Sequence, residues 1–451
     1  MKFYNRKKEI AFIEKIKNKD KKQMVVFYGR RRIGKTTLMK KAFEQEDNEH
    51  FLYFFVEALN EEQSLTQLSS MFSKAVYTNW VDCFSDLFQM KRYIVFDEFQ
   101  NYNRINKNIL SAFQHAWDET QAKTKVFILG SYVGLLKKTF IDEKVPLFGR
   151  NDFLIQIKPF SVKESVNILQ TFGYTKQEAV EIFMLVCGIP KYLLAFEEGK
   201  PMKDALYELF VDDFAPFKEE AINIIFREFG GEHKSYFSIL KALGGSRKSL
   251  SELKDKTLIA NTSLSKYLKE LGDEYEIIEK SDPILSRKKR NAKYKITDHY
   301  YNFYFNIIDR YFSAFEFDNE KTYQRIYPLI HNHLGIMFER FCMQLLKENP
   351  DKLPFIPEKI GKHWGKVPGT KDQSYDIDIV AYDKENILFC ECKWREKKIA
   401  LEDYHSLVKR SGYLSYGNRK SYYCLFSKSG FEEDVENLKN DQLLLFSYEK
   451  D

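Results

Sequence analysis

A turn bracketed by two glycines and followed by a lysine and a threonine carries the strongest chemical signal in this sequence. Residues 29–36 have the spacing Gly-x-x-x-x-Gly-Lys-Thr, and an apolar run that predicts a buried strand precedes them. Glycines permit a tight turn whose backbone N–H groups point inward around a phosphate. Lys35 would supply a mobile charge to the β- and γ-phosphates, and Thr36 a hydroxyl ligand for Mg²⁺. The pattern predicts a nucleoside triphosphate site; the alternative is a glycine-rich turn ahead of a basic helix. The residues predicted to form this site are Gly29, Arg30, Arg31, Arg32, Ile33, Gly34, Lys35, Thr36 and Thr37.

Two carboxylates at the end of another apolar run would complete such a site. The run at 93–96 predicts a strand, and Asp97 and Glu98 follow at its carboxyl end. There Asp97 would hold Mg²⁺ through water, and Glu98 would polarise the water that attacks the terminal phosphate. An apolar run ending in two acids is weak evidence alone. Together with the phosphate loop it predicts hydrolysis as well as binding.

Two further side chains could act at the same site. Ser131 follows a strand predicted at 125–130, and its hydroxyl could touch the γ-phosphate or the attacking water. It could equally cap the helix predicted at 133–138. Arg150 could stabilise the transition state, either in its own chain or from a neighbouring copy. The alternative for Arg150 is an ordinary surface arginine.

A second cluster of charged residues is predicted near the C-terminus, after a loop that contains Trp364. The two predicted strands are 375–381 and 386–394. Alternate side chains of a strand share a face, so Asp376 lies with Asp378 and Glu391 with Lys393. Adjacent strands would merge them into three acids and a lysine. Such a cluster could bind a divalent metal through its carboxylates and leave the lysine to orient or activate water. A structural acid–lysine pair is the alternative.

The elements that position these residues can also be predicted. Strands alternate with helices over the first part of the chain, which predicts a parallel sheet with helices on both faces and ligands at the strands' carboxyl ends. Residues 161–225 are helical and rich in aromatic side chains. Three helices and a hairpin follow, which predicts a winged helix-turn-helix. Ser249 and Glu252 have capping-box spacing in its second helix, and Thr262 is expected to cap the third.

Whether this middle module binds DNA stays open. Lys266, Lys269 and the basic hairpin tip Arg287–Arg290 could contact phosphates. Acidic residues crowd the end of the third helix and oppose such contacts. The alternative is that the module packs against protein.

Composition sets limits on the class of protein. A chain of 451 residues is too long for one ordinary core, so several domains are expected. The net charge of +6 permits nucleic-acid binding without requiring it. The six scattered cysteines favour reduced, buried thiols in a cytoplasmic protein over zinc ligands. The charged N-terminus and the lack of a long apolar run predict neither a signal peptide nor a membrane span.

As a set, the motifs of the first half resemble the archaeal-type AAA+/STAND P-loop ATPases, which also occur in bacteria. The segments that carry the resemblance are Gly29 to Thr36, Asp97-Glu98-Phe-Gln, Gly130-Ser131, Leu147-Phe-Gly149-Arg150 and Gly188-Ile-Pro190. The resemblance implies ATP as the nucleotide. It also implies that Phe3, Arg6 and Glu9 lie near the adenine and that Pro190, in a helical lid, lies near the nucleotide. The family usually has two glycines before this proline, and Cys187 replaces the first here.

The C-terminal cluster resembles the PD-(D/E)xK nuclease-like domain that is often fused to these ATPases. The resemblance rests on Asp378, on Glu391-Cys-Lys393-Trp and on a helix that bears Glu339 near its start. It implies that Asp378, Glu391 and Lys393 are catalytic and that Glu339 supports the metal. Asp376 stands where the family usually has glutamate.

The predicted fold class is a multidomain α/β protein with four parts. These are a P-loop ATPase core at 1–160, a helical lid at 161–228, a winged helix and connector at 229–312 and a nuclease-like domain at 313–451. The first functional hypothesis is an ATPase switch that controls a metal-dependent nuclease acting on nucleic acid. If Arg150 acts in trans, the protein would be a homo-oligomer. The alternatives are a regulatory ATPase whose C-terminal domain binds without cleaving, and a nucleotide-gated transcription factor.

Overall fold

The computed structural model describes residues 3–131, 133–228, 233–286, 292–370, 372–438 and 441–448. The chain divides into two compact units. One contains Met1–Pro159 and the short segment Asp273–Glu276, and the other contains Phe160–Gly272 and Ile277–Asp451. The finer division of the second unit into lid, winged helix and C-terminal domain stays a prediction. No helix in the described residues is long and apolar enough to cross a bilayer.

The first unit is built on a five-stranded parallel sheet, which confirms the predicted α/β architecture of this part of the chain. Its strands are β1 (Gln23–Tyr28), β2 (Phe51–Phe55), β3 (Tyr93–Asp97), β4 (Lys125–Gly130) and β5 (Phe153–Gln156). Its helices are α1 (Lys7–Lys17), α2 (Lys35–Ala42), α3 (Glu61–Ser70), α4 (Trp80–Met90), α5 (Tyr102–Ile105), α6 (Asn108–Glu119) and α7 (Val133–Ile141). The spatial order is β2-β3-β4-β1-β5. Because the strands are parallel, the carboxyl ends of β1, β3 and β4 lie along one edge of the sheet.

Both faces of this sheet are covered, which explains the unbroken apolar character of β1. Met24 and Val26 pack into a core with residues of α4 and α6. Val25 and Phe27, which point the other way, pack into a second core with residues of α1 and α2. Burial on both faces fixes the strand and therefore the point at which the phosphate loop begins.

The segment Asp273–Glu276 belongs to this first unit although the residues on either side belong to the second. The carbonyl oxygen of Glu276 accepts a hydrogen bond from Arg30 Nη2 at 2.5 Å. Its carboxylate pairs with Lys137 Nζ at 3.0 Å. A Cβ on Gly134 would lie 2.3 Å from the first carbonyl oxygen of the segment, so only glycine permits this approach. The segment is thus held by the phosphate loop and by α7 together.

The second unit begins with helices and ends with a mixed sheet. Its helices are α8 (Val162–Thr171), α9 (Lys176–Val186), α10 (Pro190–Leu193), α11 (Met202–Phe210), α12 (Glu220–Glu228), α13 (His233–Leu243), α14 (Leu250–Thr257), α15 (Asn261–Lys269), α16 (His299–Phe303), α17 (Phe312–Phe315), α18 (Asn319–Glu348), α19 (Leu401–Ser411) and α20 (Glu433–Asn437). Its strands are β6 (Ile278–Ser281), β7 (Lys293–Ile296), β8 (Lys359–Lys366), β9 (Ser374–Tyr382), β10 (Asn386–Lys393), β11 (Lys420–Ser427) and β12 (Leu443–Ser447). The sheet order is β12-β11-β10-β9-β8, with β8, β9 and β10 antiparallel and β10, β11 and β12 parallel.

The middle module contains the expected elements, namely α13, α14, α15 and the antiparallel pair β6 and β7. The capping box between Ser249 and Glu252 is confirmed. The expected cap at Thr262 is wrong, because α15 already begins at Asn261. The hairpin tip Arg287–Arg290 lies outside the described residues. Assignment as a winged helix and contact with DNA both stay predictions.

Cys187, between α9 and α10, has a backbone conformation that suits glycine. Its φ of 57° and ψ of −166° fall in a region that is essentially limited to glycine. The next residue, Gly188, cannot carry a side chain, since a Cβ would lie 2.0 Å from the carbonyl oxygen of Phe160. The turn therefore needs glycine-like geometry at both positions but has glycine at one.

Replacing Cys187 with glycine is expected to stabilise the protein. Relief of the strained conformation should outweigh the greater freedom of glycine in the unfolded chain by about 1 kcal/mol. Denaturant unfolding of the full chain measures the gain. Cys187→Ala is the matched control, because alanine also loses the thiol but keeps the unfavourable φ. Equal stabilities of the two variants would contradict the backbone explanation.

Candidate functional site

The phosphate loop is formed by a sharp turn between β1 and α2. Arg32 and Gly34 have φ values of 68° and 88°, so the backbone turns through left-handed conformations within the loop. Gly29 is required by space, because a Cβ there would lie 2.5 Å from the carbonyl oxygen of Ile157. Helix α2 begins at Lys35 directly after this turn. Its first N–H groups and the positive end of its dipole therefore face the loop.

Lys35 is 6% exposed and lies over the loop that precedes it. Its Nζ donates to the carbonyl oxygens of Gly29 at 2.8 Å and of Arg30 at 3.1 Å. The ammonium is thus held beside the backbone that would surround a phosphate. Thr37 follows as part of the first turn of α2, while Arg31, Arg32 and Ile33 make up the turn itself.

Thr36 and Asp97 meet at the edge of the sheet. Thr36 Oγ1 donates to Asp97 Oδ2 at 2.6 Å, and the other carboxylate oxygen accepts from the backbone N–H of Glu98 at 2.9 Å. A hydroxyl and a carboxylate are hard oxygen ligands, so the pair fits a hydrated Mg²⁺. Tyr53, which the sequence analysis missed, also donates to Asp97 Oδ2, at 2.5 Å. Burial and the Asp97 charge raise the pKa of Tyr53, so its hydroxyl remains a donor.

Glu98 is held by two neighbours. Ser131 Oγ lies 2.5 Å and 2.6 Å from its two carboxylate oxygens and donates its one proton to this carboxylate, and Gln100 Nε2 donates to the same group. Glu98 has a φ of 54°, a conformation that costs about 1–3 kcal/mol for a non-glycine residue. In this structure Ser131 therefore positions Glu98. Gln100, also missed from the sequence, does the same.

The N-terminal segment is attached to the loop through Arg6. Arg6 Nη2 donates to the carbonyl oxygens of Ile33 at 3.2 Å and of Lys158 at 2.7 Å, while Nη1 pairs with Glu9 at 3.0 Å. Phe3 packs on the core between the sheet and α1 and α2. Their contact with adenine stays a prediction, as does the role of Pro190, which starts α10 in the second unit.

Arg150 lies at the opposite edge of the sheet from the loop. It pairs with Asp118, with Nη2 3.1 Å from Oδ2. Two residues later, the N–H of Asp152 donates to the carbonyl oxygen of Met24 near the start of β1. The loop follows the other end of this strand, about 20 Å away for six residues. The structure therefore does not bring Arg150 to the loop of its own chain, and only the role in trans stays a prediction.

The C-terminal acids predicted to cluster are brought together by β9 and β10. These strands are antiparallel, with Cys390 opposite Ile379, so Asp378 and Glu391 lie on neighbouring strands at the same level. Glu391 is 3% exposed and pairs with Lys393 at 2.5 Å and with Arg410, on α19, at 2.8 Å. Burial and the nearby Asp378 charge raise the pKa of Glu391.

A lysine that the sequence analysis missed lies among the remaining acids. Lys362 Nζ is 2.7 Å from Glu339 Oε2, 2.9 Å from Asp376 Oδ2 and 3.2 Å from Asp378 Oδ1. Burial opposes its charge, but the three carboxylates raise the pKa of Lys362. Burial and Asp378 raise the pKa of Glu339 to about 7. Glu339 lies in the second half of α18 rather than near a helix start, which corrects its expected position.

These contacts do not fit a resident metal ion. The ammonium of Lys362 already lies where three carboxylates converge, and Lys393 and Arg410 neutralise Glu391. Within the described part of the chain, no group of three or more His, Cys, Asp or Glu side chains is arranged to hold a metal. The segment around Trp364, expected to be a loop, is strand β8. That strand brings Lys362 into the cluster.

Two protein-family models match separate parts of the chain. Residues 3–196 match a family model described as an ATPase domain predominantly from Archaea. Residues 304–404 match a model described as archaeal and bacterial proteins of unknown function.

Relatives and solved structures agree with these matches. The chain is 31% identical over 464 residues to the uncharacterized protein MJECL04 of Methanocaldococcus jannaschii, with 99% of each chain covered. It is 48% identical over 44 residues to the uncharacterized ATP-binding protein MJ0423 of the same organism, which covers 10% of this chain and 75% of that protein. The Walker-type ATPase PABY2304 of Pyrococcus abyssi superposes with a TM-score of 0.50 at 21% identity, covering 67% of this chain and 96% of that one. This superposition shows a shared fold.

Proposed function

This chain belongs to the same family as MJECL04 and has an archaeal-type P-loop ATPase domain, and from that premise we propose that it is a switch protein that binds and hydrolyses ATP. The observation that carries the proposal is the 2.6 Å hydrogen bond between Thr36 and Asp97. It joins the hydroxyl of the phosphate loop to the carboxylate of a separate strand, as a Mg²⁺–triphosphate site requires.

Each side chain of the site has a part in the proposed reaction. The backbone N–H groups of the loop surround the β- and γ-phosphates, and Lys35 turns from the loop carbonyls to the phosphate oxygens. Thr36 and Asp97 would hold Mg²⁺, which offsets charge on those oxygens. Glu98 orients the attacking water and accepts its proton, while Ser131 fixes the carboxylate.

Replacing Lys35 with alanine tests the proposal. We expect ATP turnover to fall by about a hundredfold or more, because the ammonium proposed to contact the phosphates is lost. Lys41→Ala is the matched control, since Lys41 lies on the same helix but is exposed and pairs only with Glu44 among described residues. Equal turnover in wild type and Lys35→Ala would refute the assignment.

For the C-terminal domain we propose binding of nucleic acid or protein without cleavage, gated by the nucleotide state. The position of Lys362 supports this over the competing proposal of a metal-dependent nuclease formed by Asp378, Glu391 and Lys393. We also propose a homo-oligomer in which Arg150 reaches the phosphate loop of a neighbouring copy, because the phosphate loop of its own chain lies at the opposite end of β1. Contact of the middle module with DNA is a further proposal that rests on Lys266 and Lys269.

A cleavage assay separates binding from nuclease activity. With ATP and Mg²⁺ or Mn²⁺ present, the purified full chain is expected to leave single- and double-stranded DNA and RNA intact. Lys393→Ala is the companion variant. Cleavage by the wild type that disappears in Lys393→Ala, with ATP turnover unchanged, would establish the nuclease instead.

A further inference from the structure

A cavity in the second unit is lined by an excess of positive side chains. It encloses about 240 Å³ between the β6–β7 pair, the turn after α13 and one face of α18. Its cations are Arg247, Lys295, Arg340 and Lys347, and its carboxylates are Glu279 and Glu339. Four cations against two carboxylates leave two positive charges. None of these residues belongs to the ATP site.

Each of the two carboxylates already has a lysine partner, one in the cavity lining and one outside it. Glu279 pairs with Lys295 at 2.7 Å. Glu339 is 2.7 Å from Lys362 but 3.9 Å from Arg247. The excess charge therefore resides mainly on the arginines and on the rim lysine Lys347.

Among the described residues, Arg340 has a backbone partner and no acidic one. Its Nη1 donates to the carbonyl oxygen of Ile296 at 2.6 Å. No carboxylate of a described residue lies within 4.0 Å of its guanidinium. Burial, together with Arg247, lowers the pKa of Arg340 to about 10, and burial, together with Arg340, lowers that of Lys295 to about 8. The cations thus repel one another across the cavity, and an anion would relieve that repulsion.

We propose that this cavity binds a phosphate monoester. The excess of two positive charges matches a phosphate dianion, and arginines offer paired N–H groups that suit phosphate oxygens. The volume corresponds to about eight water molecules at ~30 Å³ each. It can hold a phosphate and an adjoining sugar, but it is smaller than the usual site for a drug-sized ligand. The phosphate could come from the end of a nucleic-acid strand or from a free sugar phosphate.

The test measures binding of three probes by the full chain, with ADP present to occupy the phosphate loop. The probes are ribose 5-phosphate, a 5′-phosphorylated single-stranded DNA oligonucleotide and the same oligonucleotide with a 5′-hydroxyl. Phosphorylated probes are expected to bind at least about tenfold more tightly than the hydroxyl form. Tighter binding of the phosphorylated oligonucleotide than of ribose 5-phosphate assigns the site to strand ends, and the reverse order assigns it to free sugar phosphates.

Two variants connect the binding to the cavity. The double substitution Arg247→Gln with Lys347→Gln is expected to weaken binding of phosphorylated probes about tenfold or more, because two cations are lost. ATP turnover should be unchanged, which also reports that the chain is folded. Lys352→Gln is the control, since Lys352 is exposed and follows the same helix. If the double variant does not fold, the single variant Lys347→Gln, at the exposed rim, replaces it in the binding comparison. Equal binding of the 5′-phosphate and 5′-hydroxyl probes, or undiminished binding by the cavity variant, would overturn the proposal.

Discussion

Replacing Glu98 with glutamine is expected to lower ATP turnover by about a hundredfold to ten-thousandfold while ATP binding remains. Glutamine has nearly the same shape and can still accept from Ser131, but it cannot take a proton from water. Ser131 lies within 2.6 Å of both carboxylate oxygens, so the side chain should keep its place. Steady-state phosphate release measures turnover, and equilibrium binding of a fluorescent ATP analogue measures affinity.

The control for this experiment is Glu57→Gln. Glu57 is an exposed carboxylate just after β2, the strand next to β3, so it shares the edge of the sheet without contacting Glu98 in the described structure. Wild-type turnover in Glu98→Gln would exclude Glu98 as the base. A loss of ATP affinity in that variant would instead assign it to nucleotide positioning.

Replacing Lys362 with methionine is expected to destabilise the protein by about 3–5 kcal/mol, because three carboxylates would lose their common ammonium. The loss of stability should affect the C-terminal sheet, since Asp376 and Asp378 lie on β9. Denaturant unfolding of the full chain, followed by the fluorescence of its tryptophans, measures the change. Lys359→Met, an exposed position on the same strand, is the matched control.

Divalent metal provides a second measurement on the same variants. Mn²⁺ is expected to raise the melting temperature of Lys362→Met, whose three carboxylates then lack their shared ammonium, and not that of the wild type without nucleotide. If Mn²⁺ stabilises the wild type equally, and Asp378→Asn abolishes that stabilisation, then the metal displaces Lys362 from the carboxylates. Equal stability of Lys362→Met and wild type without metal would contradict the role assigned to this lysine.

The arrangement of the proposed ATP site could largely be predicted from the sequence because its parts are contiguous motifs. The loop at 29–36 and the pair Asp97–Glu98 each follow an apolar strand, and parallel strands bring such ends to one edge. Tyr53 could not be found in this way. Its contact with Asp97 depends on β2 lying beside β3, with Phe55 opposite Asp97. Neighbour relations and register of this kind are not encoded in a local pattern.

The C-terminal cluster shows where sequence reasoning failed. Simple alternation did indicate that Asp376 and Asp378 lie on one strand and that Glu391 and Lys393 lie on its neighbour. Lys362 was missed because β8 has few apolar residues and because its pairing with β9 shifts between Gly361 and His363. This shift changes which residues of β9 lie opposite β8, and no local pattern in the sequence indicates it.

The segment Asp273–Glu276 has a thermodynamic consequence for the whole chain. Arg30, a residue of the phosphate loop, donates to Glu276, and covalent bonds join both ends of the segment to the second unit. If ATP draws the Arg30 side chain to its phosphates, it alters the free energy of holding the segment. Reciprocity then requires any partner that displaces the segment to change the affinity for ATP by the same factor. On that condition, a measured change in ATP affinity would report the binding of a partner to the segment, even for a partner that never touches the loop.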